Sequence, residues 1–192
     1  GTEDRFTLAP RFQTGIAEHT QFSLEVPIVM GEADQKGSGD VIPELLYNFH
    51  REHDNLPAAA LAGSVRIPTG EDSEATETQL KLLLSKEVVP GRPDGSVHAN
   101  IAWGHLFDED GDERDDRLMV AAGYSQRLTN DVLMLADYVY EQQREDDLEF
   151  HLLEGGARFQ FSPRTVLTGA VAAGLSEDSP DIRATTGVQY TF

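Results

Sequence analysis

Ser96, His98 and Asn100 are the side-chain types of a hydrolase that uses a hydroxyl nucleophile, set on alternate positions of one segment. A serine nucleophile needs an imidazole within hydrogen-bond reach and a third group to orient that imidazole. Residues i and i+2 of an extended strand lie roughly 7 Å apart, so neither Ser96 nor Asn100 can bond His98 within a regular strand. The row reads better as a polar stripe on one face. A second candidate is the run from Asp108 to Asp116, which holds seven acidic residues. Carboxylates are the hard ligands that calcium takes, but an EF-hand loop requires Gly at its sixth position and a bidentate Glu at its twelfth. Here Gly111 is fourth in the run, which leaves Asp108, Asp110 and Asp112 as loose ligands for divalent cations at most. The absence of Cys removes disulfides and thiolate chemistry, and no cofactor is expected.

The third set is ionic. Glu25, Asp40, Glu44, Asp137, Glu141 and Glu154, with Arg11, Arg66, Lys81, Arg117, Arg127, Arg158 and Arg183, each fall opposite an apolar residue in a segment that alternates with period 2. That period is the signature of β-strands with unlike faces. Phe6, Leu8, Pro10 and Phe12 alternate with Thr7, Ala9 and Arg11, and Phe22, Leu24, Val26, Ile28 and Met30 oppose Ser23 and Glu25. Val97, Ile101, Trp103 and Phe107 oppose Ser96, His98 and Asn100, while Leu118, Val120 and Tyr124 oppose Arg117, Ser125 and Arg127. Seven more segments follow the same rule, giving eleven strands of about 9 to 13 residues, close to what a tilted strand needs to cross a bilayer.

The connections are of two kinds. Five acidic stretches, 31–40, 69–77, 108–116, 141–149 and 176–181, hold 22 of the 34 acidic residues and three of the 15 basic ones, an excess equal to the whole net charge of -19. They take alternate connections; the others are short turns at 17–20, 51–57, 90–95, 129–131 and 162–164. Long loops on one rim and short turns on the other is the organisation of an outer-membrane barrel, and the mean hydropathy of -0.39 is no objection, because lipid-facing and interior residues cancel in an average. No apolar run is long enough for a membrane helix, and the charge excludes nucleic acid as a partner, since phosphates require a basic footprint. The chain ends on Val188, Tyr190 and Phe192 on one face, a pattern that resembles the assembly signal of outer-membrane proteins.

With the strands placed, several phrases resemble the outer-membrane family of the MetA pathway of phenol degradation. They are Gly37-Ser38-Gly39-Asp40, the stretch Val65 to Gly70, His98-Ala99-Asn100, the stretch Gly174 to Asp181, and the Gly187 to Phe192 ending, in this order over the chain from about Phe22 onward. The resemblance implies a barrel that passes hydrophobic or aromatic compounds.

The expectation is therefore an all-β protein: one domain, residues 1–192, forming a transmembrane antiparallel up-and-down β-barrel. Eleven strands are visible, and a twelfth is missing at the N-terminus, because bacterial barrels have even strand counts. Its expected place is the outer membrane of a Gram-negative bacterium. The expected role is a channel for passive uptake of small hydrophobic or aromatic molecules, not an enzyme. Glu25, Asp40, Glu44, Arg66, Lys81, Ser96, His98, Asn100, Arg117, Arg127, Asp137, Glu154, Arg158 and Arg183 would line the lumen. A structural or adhesion barrel with working acidic loops is the alternative, and an outer-membrane hydrolase the third. Expected partners are outer-membrane lipid and lipopolysaccharide, the barrel assembly machinery and a small-molecule solute.

Overall fold

The computed structural model describes residues 5–31, 37–53, 55–70, 75–89, 92–107, 114–145 and 147–192, and they form strands without a helix. In chain order these are β1 (Arg5–Leu8), β2 (Arg11–Ala17), β3 (Thr20–Glu25), β4 (Ile28–Gly31), β5 (Gly37–Ser38), β6 (Ile42–His50) and β7 (Ala58–Arg66), followed by β8 (Thr76–Val89), β9 (Arg92–Phe107), β10 (Asp116–Arg127), β11 (Val132–Gln142), β12 (Glu149–Ser162), β13 (Thr165–Gly174) and β14 (Ile182–Tyr190). One sheet of eleven strands runs β14-β13-β12-β11-β10-β9-β8-β7-β6-β3-β2, and a small sheet, β1-β4-β5, continues from its end. The two are runs of the same strands. Pro10 and Pro27 lack the N–H that a ladder needs, so the first two strands of the sequence each break into an outer and an inner piece. Backbone bonds from Val26 N to Pro10 O and from Gly39 N to Pro27 O join the pieces. The uninterrupted first strand expected through Pro10 is thus corrected to β1 plus β2.

Every ladder is antiparallel, and once β1 with β2, β3 with β4 and β5 with β6 are each counted as one interrupted strand, every ladder joins strands that follow one another in the chain, which makes an up-and-down meander. The ends of successive strands therefore alternate between two rims. The connections after β4, β7, β9, β11 and β13, the acidic ones, leave from one rim, and the remaining turns leave from the other. Among the described residues, β2 and β14 have one ladder neighbour each in the large sheet. Since eleven strands separate them inclusively, they point the same way.

The turn expected at 90–95 is shorter than that. Val89 pairs with Arg92, and Glu87 with Ser96, with a register shift between. Pro93 and Gly95 lie within β9, opposite a register shift at Glu87 to Val89 where a missing ladder N–H is tolerated. The acidic stretches also shed residues into strands: Glu77, Asp116, Glu141 and Glu149 all belong to strands.

The burial pattern is inverted relative to a soluble protein. Leu45, Tyr47, Phe49, Leu61, Ile101, Trp103, Leu153 and Val171 are exposed, whereas Ser23, Glu44, Ser64 and Glu77 are buried. A continuous apolar outer belt would be untenable in water and is what hydrocarbon requires of a barrel wall. Trp103, Tyr124, Tyr138 and Tyr190 lie in this outer surface. The buried apolar residues of the inward face are mainly small, among them Ala60, Ala62, Ala102 and Ala172, with Leu106 and Leu152 the bulky ones.

Candidate functional site

Because side chains alternate along each strand, the registers fix which residues share the inward face. Glu44 stands opposite Ser23 and Ser64, Ser64 opposite Gln79, Gln79 opposite Gly104, and Gly104 opposite Arg117. This single cross-strand row links five ladders, and of the two carboxylate centres Glu44 lies on it and Glu77 on the next inward row, opposite Arg66.

The first centre is Glu44. Lys81 Nζ donates to one carboxylate oxygen at 2.7 Å, and Arg11 pairs with the other. Arg11 also donates to Ser23 Oγ at 2.9 Å. These groups come from β2, β3, β6 and β8, which can meet only on the concave side of a curved sheet. Burial of the carboxylate is offset by two cations and hydrogen bonds, the condition under which a buried charge is tolerated.

The second centre is Glu77, the second residue of β8. Arg117 of β10 pairs with Oε1, and Arg66 of β7 and Arg144 of the connection after β11 approach Oε2 at 3.4 and 3.3 Å. Gly104 makes room for it: a Cβ there would stand 3.0 Å from Glu77 Oε1. Arg144 is brought inward by its connection, whose Arg144 O accepts from Arg114 N at 2.7 Å. Asp40, also buried, accepts from Gly70 N at 3.2 Å and so ties the neighbouring connection to the start of β6.

Further round the sheet, Arg183 lies 3.8 Å from Glu141 and 3.9 Å from Glu154, with Asp137 within electrostatic range of Arg183 and His98. Arg158 donates to Gln189 Oε1 at 3.2 Å, and Arg127 to Asn130 O at 3.4 Å. Glu25 stands opposite Arg11 in one ladder and Ile42 in the other.

His98 does not bond Ser96 or Asn100. Its Nδ1 meets Ser85 Oγ at 3.0 Å on β8 and its Nε2 meets Ser125 Oγ at 2.9 Å on β10. One ring nitrogen donates and the other accepts. Both are thereby engaged by hydroxyls, so no carboxylate orients the ring as a hydrolase triad would have it. This relay forms one edge of a cavity of about 300 Å3, whose polar side is Asn48, Ser85, His98 and Asn100 and whose apolar side is Leu46, Ala58, Ala60 and Leu83.

Sequence reasoning missed Glu77, Arg144, Ser85 and Ser125. Glu77 was hidden in an acidic stretch, Arg144 in another, and the two serines in neighbouring strands. The only available signal was cross-strand: directly opposed residues lie about 5 Å apart and same-strand neighbours farther. Asp108, Asp110 and Asp112, the candidate cation ligands, lie outside the described residues. Val188 and Tyr190 point outward from β14, and Phe192, beyond it, stacks edge-on against Tyr190 at 5.3 Å between ring centroids.

A family model described as "Putative MetA-pathway of phenol degradation" matches residues 7–192. Among solved structures, a KdgM porin superposes with a TM-score of 0.69 at 12% sequence identity, over 100% of this chain and 95% of that one. At that identity the likeness shows the fold, a porin-type barrel. No curated protein matches the sequence.

Proposed function

The chain belongs to the MetA-pathway family of phenol degradation, and from that premise we propose that it is a passive channel for small hydrophobic or aromatic molecules in the outer membrane of a Gram-negative bacterium. The observation that carries this reading is the two-sided interior cavity. An apolar wall of Leu46, Ala58, Ala60 and Leu83 faces hydroxyl, amide and imidazole groups, a combination suited to a ring bearing one polar substituent. At about 300 Å3 it stands at the small end of ligand pockets, so a single ring suits it better than a fused system. In this reading Val188, Tyr190 and Phe192 present the outward-facing aromatic end to the assembly machinery, and the acidic connections face lipopolysaccharide and its bridging cations.

The test is solute flux. Liposomes carrying the purified barrel should release or admit single-ring solutes faster than empty liposomes, with conductance steps in planar bilayers, and Leu83→Trp, which fills the cavity, should suppress the flux. Flux and conductance no greater than in protein-free membranes would refute the channel. A second reading, a structural barrel whose loops do the work, draws support from the ion pairs that tie the interior together, above all Arg144 with Glu77. That same null result would favour it.

A further inference from the structure

The Glu77 centre holds more donors than acceptors. A carboxylate has two oxygens and about four acceptor sites, whereas each guanidinium carries five N–H groups. Arg66 approaches Glu77 through Nε alone, at 3.4 Å, and its two terminal nitrogens have no protein partner among the described residues. Its side chain is 38% exposed, on the inward face. Arg117, 18% exposed, spends its contact on Glu77 Oε1. Glu77 itself is 5% exposed and so cannot turn out to water. A few rows away along the same strands, Lys81 and Arg11 share the single carboxylate of Glu44. Arg66, Arg117 and Arg144 thus gather on Glu77, with Asp40 acting on Arg66 from farther off, while the acids Asp137, Glu141 and Glu154 gather around one cation, Arg183, on β11, β12 and β14.

We infer that Arg66 and Arg117, gathered on Glu77 at the acidic-rim end of the interior, form a binding site for the carboxylate of a small organic acid. The guanidinium fork matches a carboxylate in two parallel bonds, and the terminal nitrogens of Arg66 are placed to supply it. Glu77 plays the part of an internal competitor: it holds the arginines in place and occupies part of the site. The acidic connections do not forbid the ligand, because exposed charges are screened over about 8–10 Å at physiological salt, whereas the interior pairs are screened much less. The inference deepens the channel reading, on which it rests, since it needs the interior to be reached from solvent, and it adds small organic acids to the single-ring solutes of that reading.

The probe is benzoate, with benzyl alcohol as its neutral counterpart, titrated calorimetrically into the folded barrel in detergent micelles. Benzoate should bind saturably and more weakly as salt is raised; benzyl alcohol should show partitioning alone. Arg66→Gln and Arg117→Gln should each weaken benzoate binding about tenfold, the worth of one charge-assisted hydrogen bond. Glu77→Gln should tighten it, an outcome that a purely structural cluster does not produce. Should Glu77→Gln fail to fold, as judged by heat-modifiable migration, Arg66→Lys decides, because it keeps a cation beside Glu77 and removes the guanidinium fork that the carboxylate would take. Equal behaviour of benzoate and benzyl alcohol, or unchanged binding in both arginine variants, overturns the site. Binding without conductance would retain the site and refute the channel, so the two failures are distinguishable.

Discussion

Replacing Glu44 and replacing its cations should have unequal costs, and the inequality can be worked from the exposures. Glu44 is 9% exposed, while its partners Lys81 and Arg11 have side chains 30% and 42% exposed. Glu44→Gln keeps the shape, and the two cations it abandons can turn toward water; the expected loss is about 1–2 kcal/mol, discounted for solvent screening of Arg11. Lys81→Met alone leaves Arg11 in place and should cost a similar amount. Lys81→Met with Arg11→Gln strands a buried carboxylate with Ser23 as its remaining partner, a loss of about 3–5 kcal/mol. Adding Glu44→Gln to that pair should restore most of the difference, because no buried charge is then left. Urea unfolding from phospholipid vesicles measures this, with Trp103 as reporter: it is the only tryptophan and lies on the outer face, so its emission falls when the barrel leaves lipid. Additivity of the Glu44 and Lys81 substitutions within about 0.5 kcal/mol would refute the inward ion-pair account, as would a Glu44→Gln barrel less stable than the one stripped of both cations.

Three further outcomes follow from the same geometry. Ile101→Arg, on the outer face midway along β9, should cost about 2–4 kcal/mol in the same vesicle assay, whereas Asn100→Arg one residue away should cost far less, since its charge enters the polar interior. Leu152→Ala empties a fully buried position and should destabilise by about 2–4 kcal/mol, with Leu152→Met losing under about 1.5 kcal/mol. In the connection after β6, the hydrogen bond from Lys86, 2.8 Å away, holds the Glu52 carboxyl below its usual range, aided by the backbone N–H of Glu87. A lowered folded-state pKa contributes stability above the ordinary carboxylate value that is lost as pH falls through the lowered one. Wild type should therefore exceed Glu52→Gln at neutral pH, and the gap should close in acid when both are titrated in parallel.

Fold and site were legible to different depths. Period-2 alternation is local information, and because one face of each strand meets hydrocarbon and the other the interior, it survives in the sequence of every strand from Phe22 to Tyr190. The charges on the inward face, such as Glu44, Lys81 and Arg183, were legible for the same reason. Their partners were not. Which residue faces Glu44 or His98 depends on register, and register is set by where each turn closes and by bulges such as the one between Glu87 and Val89. Glu77 shows the difficulty at its sharpest: in sequence it closes an acidic run, and only the pairing of β8 with β7 and β9 reveals it beneath three arginines.

The meander also bears on how the chain reaches its native state. Each ladder joins strands that are consecutive in the chain, so each pairing closes a short loop, and loop-closure entropy rises only with the logarithm of loop length. The two-residue turn at Glu18 and His19, where His19 takes a positive φ of 59°, and the turn at Pro163 and Arg164 are the cheapest of these closures. A sheet assembled from neighbouring strands has a lower contact order than a Greek-key sheet of the same size, whose long crossovers must form first, and can zip from any hairpin outward. The sequence-distant step is left for the edge strands β2 and β14, which have one ladder neighbour each in the large sheet among the described residues. The slow step in forming this barrel is thus expected at its edges, with the wall between them already in place.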